Sequence, residues 1–287
     1  GGPSNFAGRI ATTKGSTALR DAIYYFLLFD PAAPAPADPR PAMQPKTFFS
    51  QHTVNNKLMG MVLARSGYST SDTYFHWRLD WNRIDHQRGD SLGFGLWKNG
   101  LWLTKGMTGY GVLQGCSDYR NSLSLQNGVP TGSPVGETTL AAHGSQWDYS
   151  PIGDPEITAR STGDSFLYFT GDATNLYNHQ YQTTLREIEH ASRSIVWLKP
   201  DHIVVYDRAK SKSAGYYKRF FLNVPRDPVI TGNVARSSAM EGPDEKGRLF
   251  VTSLLPAGAS IQWKTINDGE PAGGIDSGTN RPSYEDM

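Results

Sequence analysis

The chain has almost no cysteine. Its single thiol, Cys116, excludes a disulfide framework and a cysteine-rich zinc site, and it reads as a small structural residue. Long apolar runs are missing as well. The longest, residues 22–29, falls far short of the ~20 residues that a membrane-spanning helix needs. Neither sign of charge dominates: 28 basic and 27 acidic residues leave a formal net charge of +1, so nucleic acid is not an expected partner. The first residues, Gly-Gly-Pro-Ser, carry neither the charged nor the apolar region of a secretory signal. The last, Pro-Ser-Tyr-Glu-Asp-Met, stop abruptly, and both ends read as cuts in something longer. Several catalytic signatures are absent too: no Gly-x-Ser-x-Gly elbow, no phosphate-cradling loop and no His-Glu-x-x-His. Asp72, Asp80, Asp85 and Asp90 cluster in sequence, but nothing ties two of them across a cleft as glycoside hydrolysis requires.

Aromatic residues, by contrast, are plentiful: 7 Trp, 14 Tyr and 12 Phe. Core burial and strand preference account for most of them, and a sugar-stacking surface can account for a few. Residues 16–29 have the pattern of one amphipathic helix, with Leu19, Ile23, Phe26 and Leu27 at helical spacing. Ser16 or Thr17 can cap it, and Asp30-Pro31 stops it. Six prolines follow between residues 31 and 45, so residues 30–45 read as an extended, semi-rigid linker. This divides the chain into a helical segment with its linker, residues 1–45, and a β-domain, residues 46–287.

Beyond residue 46 the periodicity is that of strands. Residues 73–81 alternate, with Phe75, Trp77 and Leu79 on one face and Tyr74, His76 and Arg78 on the other. Asn99-Gly100 between apolar runs predicts a tight hairpin, and Lys199-Pro200-Asp201 predicts another. Residues 60–66, 122–126, 216–222, 249–254 and 260–265 continue the strand pattern. The expected class is all-β: antiparallel sheets stacked as a sandwich, with one N-terminal helix.

The strongest candidate for chemistry lies between the alternating strand and the first hairpin. His86, Arg88 and Asp90 alternate, so in extended chain they share a face. Histidine can exchange a proton near neutral pH, arginine can clamp a carboxylate, and aspartate can orient either. A solvated turn with local ion pairs is the competing reading. His86 and Asp90 could both ligate a metal, but Arg88 between them repels one. Tyr110, in the glycine-rich turn 106–111, can donate or accept a proton, or can simply pack on the sheet. Arg120 and Asn121 add a cation and an amide just before a strand.

The order of these pieces resembles the β-sheet domain of heparinase II/III-like polysaccharide lyases. The residues concerned are HQRGD at 86–90, GLWLTKGMTGYG at 100–111, YRNSLSLQNG at 119–128, GDATNLY at 171–177 and RSIVWLKPDHIVVYDR at 193–208. The resemblance covers about residues 46–260. It implies β-elimination at a uronic acid, with His86 and Tyr110 as catalytic residues. Arg88, Lys105 and Arg120, with Asp90 and Asn121, are expected to bind the acidic substrate, or the three cations form salt bridges in place of the family's metal. It also implies an α/α toroid before the β-domain, of which residues 16–29 would be the last helix. An anionic polysaccharide is then the expected ligand, and the periplasm or the cell exterior the expected location. The chain departs from the family pattern at three places. Arg88, Lys105 and Arg120 stand where the family often has zinc ligands, so its structural zinc is expected to be lost and no cofactor is implied. A non-catalytic glycan-binding or structural β-sandwich is the alternative, and a glycoside hydrolase a further one.

Overall fold

The structure is a computed structural model that describes residues 46–54, 56–79, 91–106, 117, 120–129, 144–146, 155–178, 185–238 and 247–263. By its internal contacts the chain separates into Gly1–Pro41 and Ala42–Met287, and every described residue belongs to the second unit. The helix expected at residues 16–29 and the linker at 30–45 lie outside the described residues.

The chain first builds an antiparallel meander, sheet I. Its strands are β1 (Thr47–Val54), β2 (Lys57–Arg65), β3 (Tyr74–Leu79), β4 (Phe94–Lys98) and β5 (Leu101–Thr104), paired in that order. In β3 the alternation is realised as read: Phe75, Trp77 and Leu79 are fully buried, while Tyr74, His76 and Arg78 remain partly exposed. The turn between β4 and β5 pairs Lys98 with Leu101 around Asn99 (φ 52°) and Gly100 (φ 83°). Two residues in the left-handed region give the turn a twist that matches the flanking strands, and asparagine and glycine reach that region at least cost.

A short strand, β6 (Leu123–Leu125), precedes sheet II. Sheet II consists of β7 (Glu156–Thr162), β8 (Phe166–Asp172), β9 (Ile188–Leu198) and β10 (His202–Ser211), in the order β10-β9-β8-β7, with a 3-10 turn at Thr174–Tyr177 after β8. The second expected hairpin joins β9 to β10, pairing Leu198 with His202. β11 (Lys218–Phe220) pairs with β6, and β12 (Val229–Thr231), β13 (Val234–Ser238) and β14 (Arg248–Thr252) make a small separate sheet. The described residues are thus an all-β, antiparallel fold.

The core lies between sheets I and II. The Phe75 ring sits 5.9 Å from Phe169 and 5.7 Å from Trp197, and Trp77 sits 4.4 Å from Phe169. Such aromatic contacts hold the sheets together by apolar burial and ring packing. Polar ties run around the rim: Lys57 bonds Glu156 at 3.0 Å, Lys98 pairs with Asp201, and Arg160 donates to Gln51.

One expected strand needs correcting. Residues 260–263 are not in a strand, and 264–265 lie outside the described residues. After β14 the chain turns at Pro256, whose carbonyl accepts from the Ala259 amide at 3.0 Å, and Gly258 takes φ 81°. Proline offers no N–H to a ladder, and the left-handed glycine redirects the chain.

Candidate functional site

Of the residues singled out from sequence, His86, Arg88, Asp90 and Tyr110 lie outside the described residues. Lys105, Arg120 and Asn121 are described, and the fold draws them to one end of sheet I.

Asn121 is the hub. It is 1% exposed, and its amide nitrogen donates to the Phe94 carbonyl at 2.7 Å and to Thr104 Oγ1 at 2.6 Å. Its amide oxygen accepts from the Asn223 backbone N–H at 2.7 Å and from Asn223 Nδ2 at 3.3 Å. Two donors and two acceptor positions are thereby filled by the protein, so in this structure the side chain fastens β4, β5 and the Asn223 segment to one another. Thr104 in turn donates to the Asn223 carbonyl at 2.6 Å. Lys105 and Arg120 are the chain neighbours of this bonded pair, Thr104 and Asn121.

The same end holds the chain on the near side of Asp90. Ser91 donates its N–H to Gln146 Oε1 at 3.0 Å, and its carbonyl accepts from Gln146 Nε2 at 2.8 Å and from Ser122 Oγ at 2.7 Å. Leu92 N–H donates to the Arg78 carbonyl at 2.7 Å, which sets Ser91 beside the end of β3. Three separate stretches, 91–92, 104–105 and 120–122, are therefore locked together by buried hydrogen bonds.

Two residues that complete this framework carried no functional weight in the sequence reading. Arg193 is fully buried and forms a fork with Asp207, Nε to Oδ1 at 2.7 Å and Nη2 to Oδ2 at 2.8 Å. Its Nη1 donates to the carbonyls of Leu92 (2.6 Å) and Asn121 (2.7 Å), so one guanidinium joins sheet II to both halves of the site. The signal was present: a hairpin closed at residues 199–201 makes Arg193 and Asp207 direct partners. Tyr177, the tyrosine of the GDATNLY segment, is also fully buried. It donates to the Leu123 carbonyl at 2.8 Å and accepts from Gln146 at 2.9 Å, and burial pushes its phenol up to about 12. It is a fixed, neutral strut for β6.

Lys105 is 8% exposed, and its ammonium lies 4.9 Å from the centre of the Trp102 ring. Burial lowers its pKa to about 8, because charge is disfavoured away from water. Arg120 is 2% exposed. Two cationic side chains at these places supply hydrogen-bond donors and positive charge, not lone pairs for a divalent metal. Neither position therefore offers a ligand to a divalent metal. Among the described residues, no three His, Cys, Asp or Glu side chains come together as a metal site.

Fold and site together define an antiparallel β-sandwich with a cation-bearing polar end. No protein-family model matches the chain, and no curated protein matches it. Among the solved structures it resembles are heparinase III and heparan sulfate lyase structures. A heparinase III structure aligns with a TM-score of 0.45 and 11% identity over 66% of this chain and 27% of that one. The heparan sulfate lyase HepC from Pedobacter heparinus aligns with a TM-score of 0.44 and 16% identity over 82% of this chain and 32% of that one. The chain spans about a third or less of the length of these structures. No helix among the described residues is long and apolar enough to cross a membrane.

Proposed function

We propose that this chain is the β-sandwich side of a polysaccharide lyase that cleaves a uronate-containing glycan by β-elimination outside the cytoplasm. The observation that carries this reading is the locking of stretches 91–92, 104–105 and 120–122 into one end of sheet I, because those stretches belong to or border the motifs that resemble the lyases. These described stretches meet in one place, which holds the buried Lys105 and Arg120.

In the proposed reaction a base takes the proton from the carbon next to the uronate carboxylate. The electron pair left behind forms a carbon–carbon double bond as the bond to the glycosidic oxygen breaks, and an acid protonates the departing oxygen. His86 and Tyr110 fill the two proton-transfer roles by resemblance. Lys105, with Arg88 and Arg120, neutralises the carboxylate as charge builds on it. Asn121 keeps these stretches in register, and Asp90 orients the neighbouring cations. An α/α toroid preceding the chain would close the cleft from the other side.

The test is ultraviolet absorbance of unsaturated uronate when the full-length protein meets alginate, hyaluronan and heparan sulfate. Absorbance should rise with at least one of them and fall by about a hundredfold or more in His86→Ala and Tyr110→Phe, with melting temperature unchanged. No absorbance with any uronate polysaccharide, or full activity in both variants, would overturn the proposal. New reducing ends without unsaturation would instead identify a hydrolase.

A further inference from the structure

The outer face of sheet I, turned away from the core, has a composition that packing does not require. The strands β1 to β5 contain no aspartate or glutamate, yet they hold Lys57, Arg65, Arg78 and Lys98. Lys57 and Lys98 stand at hairpin ends and are answered by Glu156 and Asp201. Arg65 and Arg78 stand on the outer face instead, in register with Tyr74 and Met61.

Aromatic rings gather between these cations. Tyr74, His76 and Trp102 form a triangle with centroids 5.9 Å (Tyr74–His76), 6.1 Å (Tyr74–Trp102) and 5.7 Å (His76–Trp102) apart. The Arg65 guanidinium lies 4.8 Å from the Tyr74 centroid at one end, and the Lys105 ammonium 4.9 Å from the Trp102 centroid at the other. The strand across from His76 makes the triangle possible: a Cβ on Gly95 would come within 2.3 Å of His76 Cε1, so glycine lets the imidazole lie across β4. All three rings stay partly exposed, although rings of this size on the inner face of β3 are fully buried.

We propose that this aromatic triangle, bracketed by Arg65 and Lys105, is a binding platform for an acidic sugar unit of a glycan. A pyranose presents a face of weakly positive C–H groups that suits the negative face of an aromatic ring. A carboxylate or sulfate on the same ring suits the flanking cations. Sheet I offers that anion no repelling carboxylate within its strands. The platform rests on the glycan reading above for its ligand class only, and it requires no cleavage. Lys105 belongs to both the platform and the polar end, which makes the platform an extension of that site along the sheet.

The test is direct binding of alginate and chondroitin sulfate oligosaccharides to the full chain, measured by calorimetry, with neutral cello-oligosaccharides for comparison. Trp102→Ala and Tyr74→Ala should each weaken binding of the acidic oligosaccharides by about tenfold. Trp102→Phe, which keeps a ring, should stay within about threefold. Tyr206→Ala, at an exposed tyrosine of sheet II, should leave binding unchanged. As a readout that needs no destabilised variant, the indole N–H resonance of Trp102, assigned through Trp102→Phe, should shift on titration. No binding of either acidic oligosaccharide, equal binding of the neutral one, unchanged affinity in both alanine variants, or an unmoved Trp102 resonance would overturn the platform. Binding by this chain, with no unsaturated product from the full-length protein, leaves the platform standing and removes the lyase. Cleavage with unmoved Trp102 and unchanged affinity in the alanine variants does the reverse.

Discussion

Sheets I and II share one core and differ on their outer faces. Inside, Phe75 and Trp77 of sheet I meet Phe169 and Trp197 of sheet II on equal terms. Outside, sheet II balances Arg208 and Lys210 against Asp172 and Glu189, and exposes Val204 and Tyr206. Sheet I has cations and rings and no strand carboxylate. The inner faces are dictated by the need to exclude water and leave little choice. The outer faces are free of that demand, so a bias in charge and shape there points to a ligand, not to packing.

The comparison breaks most completely if the shared core is opened. Trp77→Ala and Phe169→Ala should each cost about 3–5 kcal/mol in urea unfolding, since each removes a large buried ring. If the Trp77 variant alone lost stability, the sheets would not share a core as described. Next comes the tie between sheet II and the polar end of sheet I. Arg193→Ala should cost about 3–5 kcal/mol, because it leaves the Asp207 carboxylate and the carbonyls of Leu92 and Asn121 without their donor. Asp207→Asn, which keeps the shape, should cost less. Tyr177→Phe should cost about 1–2 kcal/mol, as the Leu123 carbonyl loses its donor and Gln146 an acceptor.

The smallest effect sharpens the contrast most, because it has the opposite sign. Lys105 has a folded-state pKa of about 8 against an ordinary value of 10.5. Below about 8 both folded and unfolded chains carry the proton, and the penalty for burying the charge is fully present. Between about 8 and 10.5 the unfolded chain binds more proton than the folded one, so the parent gains stability as pH rises. Lys105→Met should therefore stabilise the protein by about 1 kcal/mol near neutral pH, after allowance for solvent screening, with the gain fading toward pH 10.5. Thermal melts across that range check it. A destabilised variant near neutral pH would mean that the lysine supports the fold and does not strain it.

Much of the sandwich was legible in the chain. The alternation around Phe75 and Trp77 placed β3 and its faces, and Asn99-Gly100 placed the β4–β5 turn, because both signals are local: a period of two, and two residues that tolerate positive φ. The run at residues 260–263 misled for the same reason. Its alternation is local, whereas a strand needs a partner, and the turn at Pro256 and Gly258 carries the chain out of the ladder. The site was legible only as a set of residue types. Lys105, Arg120 and Asn121 were singled out as cations and an amide, but their spacing could not say that Asn121 would place its four hydrogen bonds inside the protein.

The sequence by itself determined the class of fold, two of the hairpins and which side of β3 faces the core, since periodicity and turn chemistry act over a few residues. Tertiary structure alone decided that Arg193 reaches Leu92 and Asn121, that Gly95 clears a bed for His76, and that Tyr74, His76 and Trp102 close into a triangle between two cations. Those are meetings of side chains from different strands. They depend on register and on which stretches are packed together, and no pattern within a single stretch encodes them.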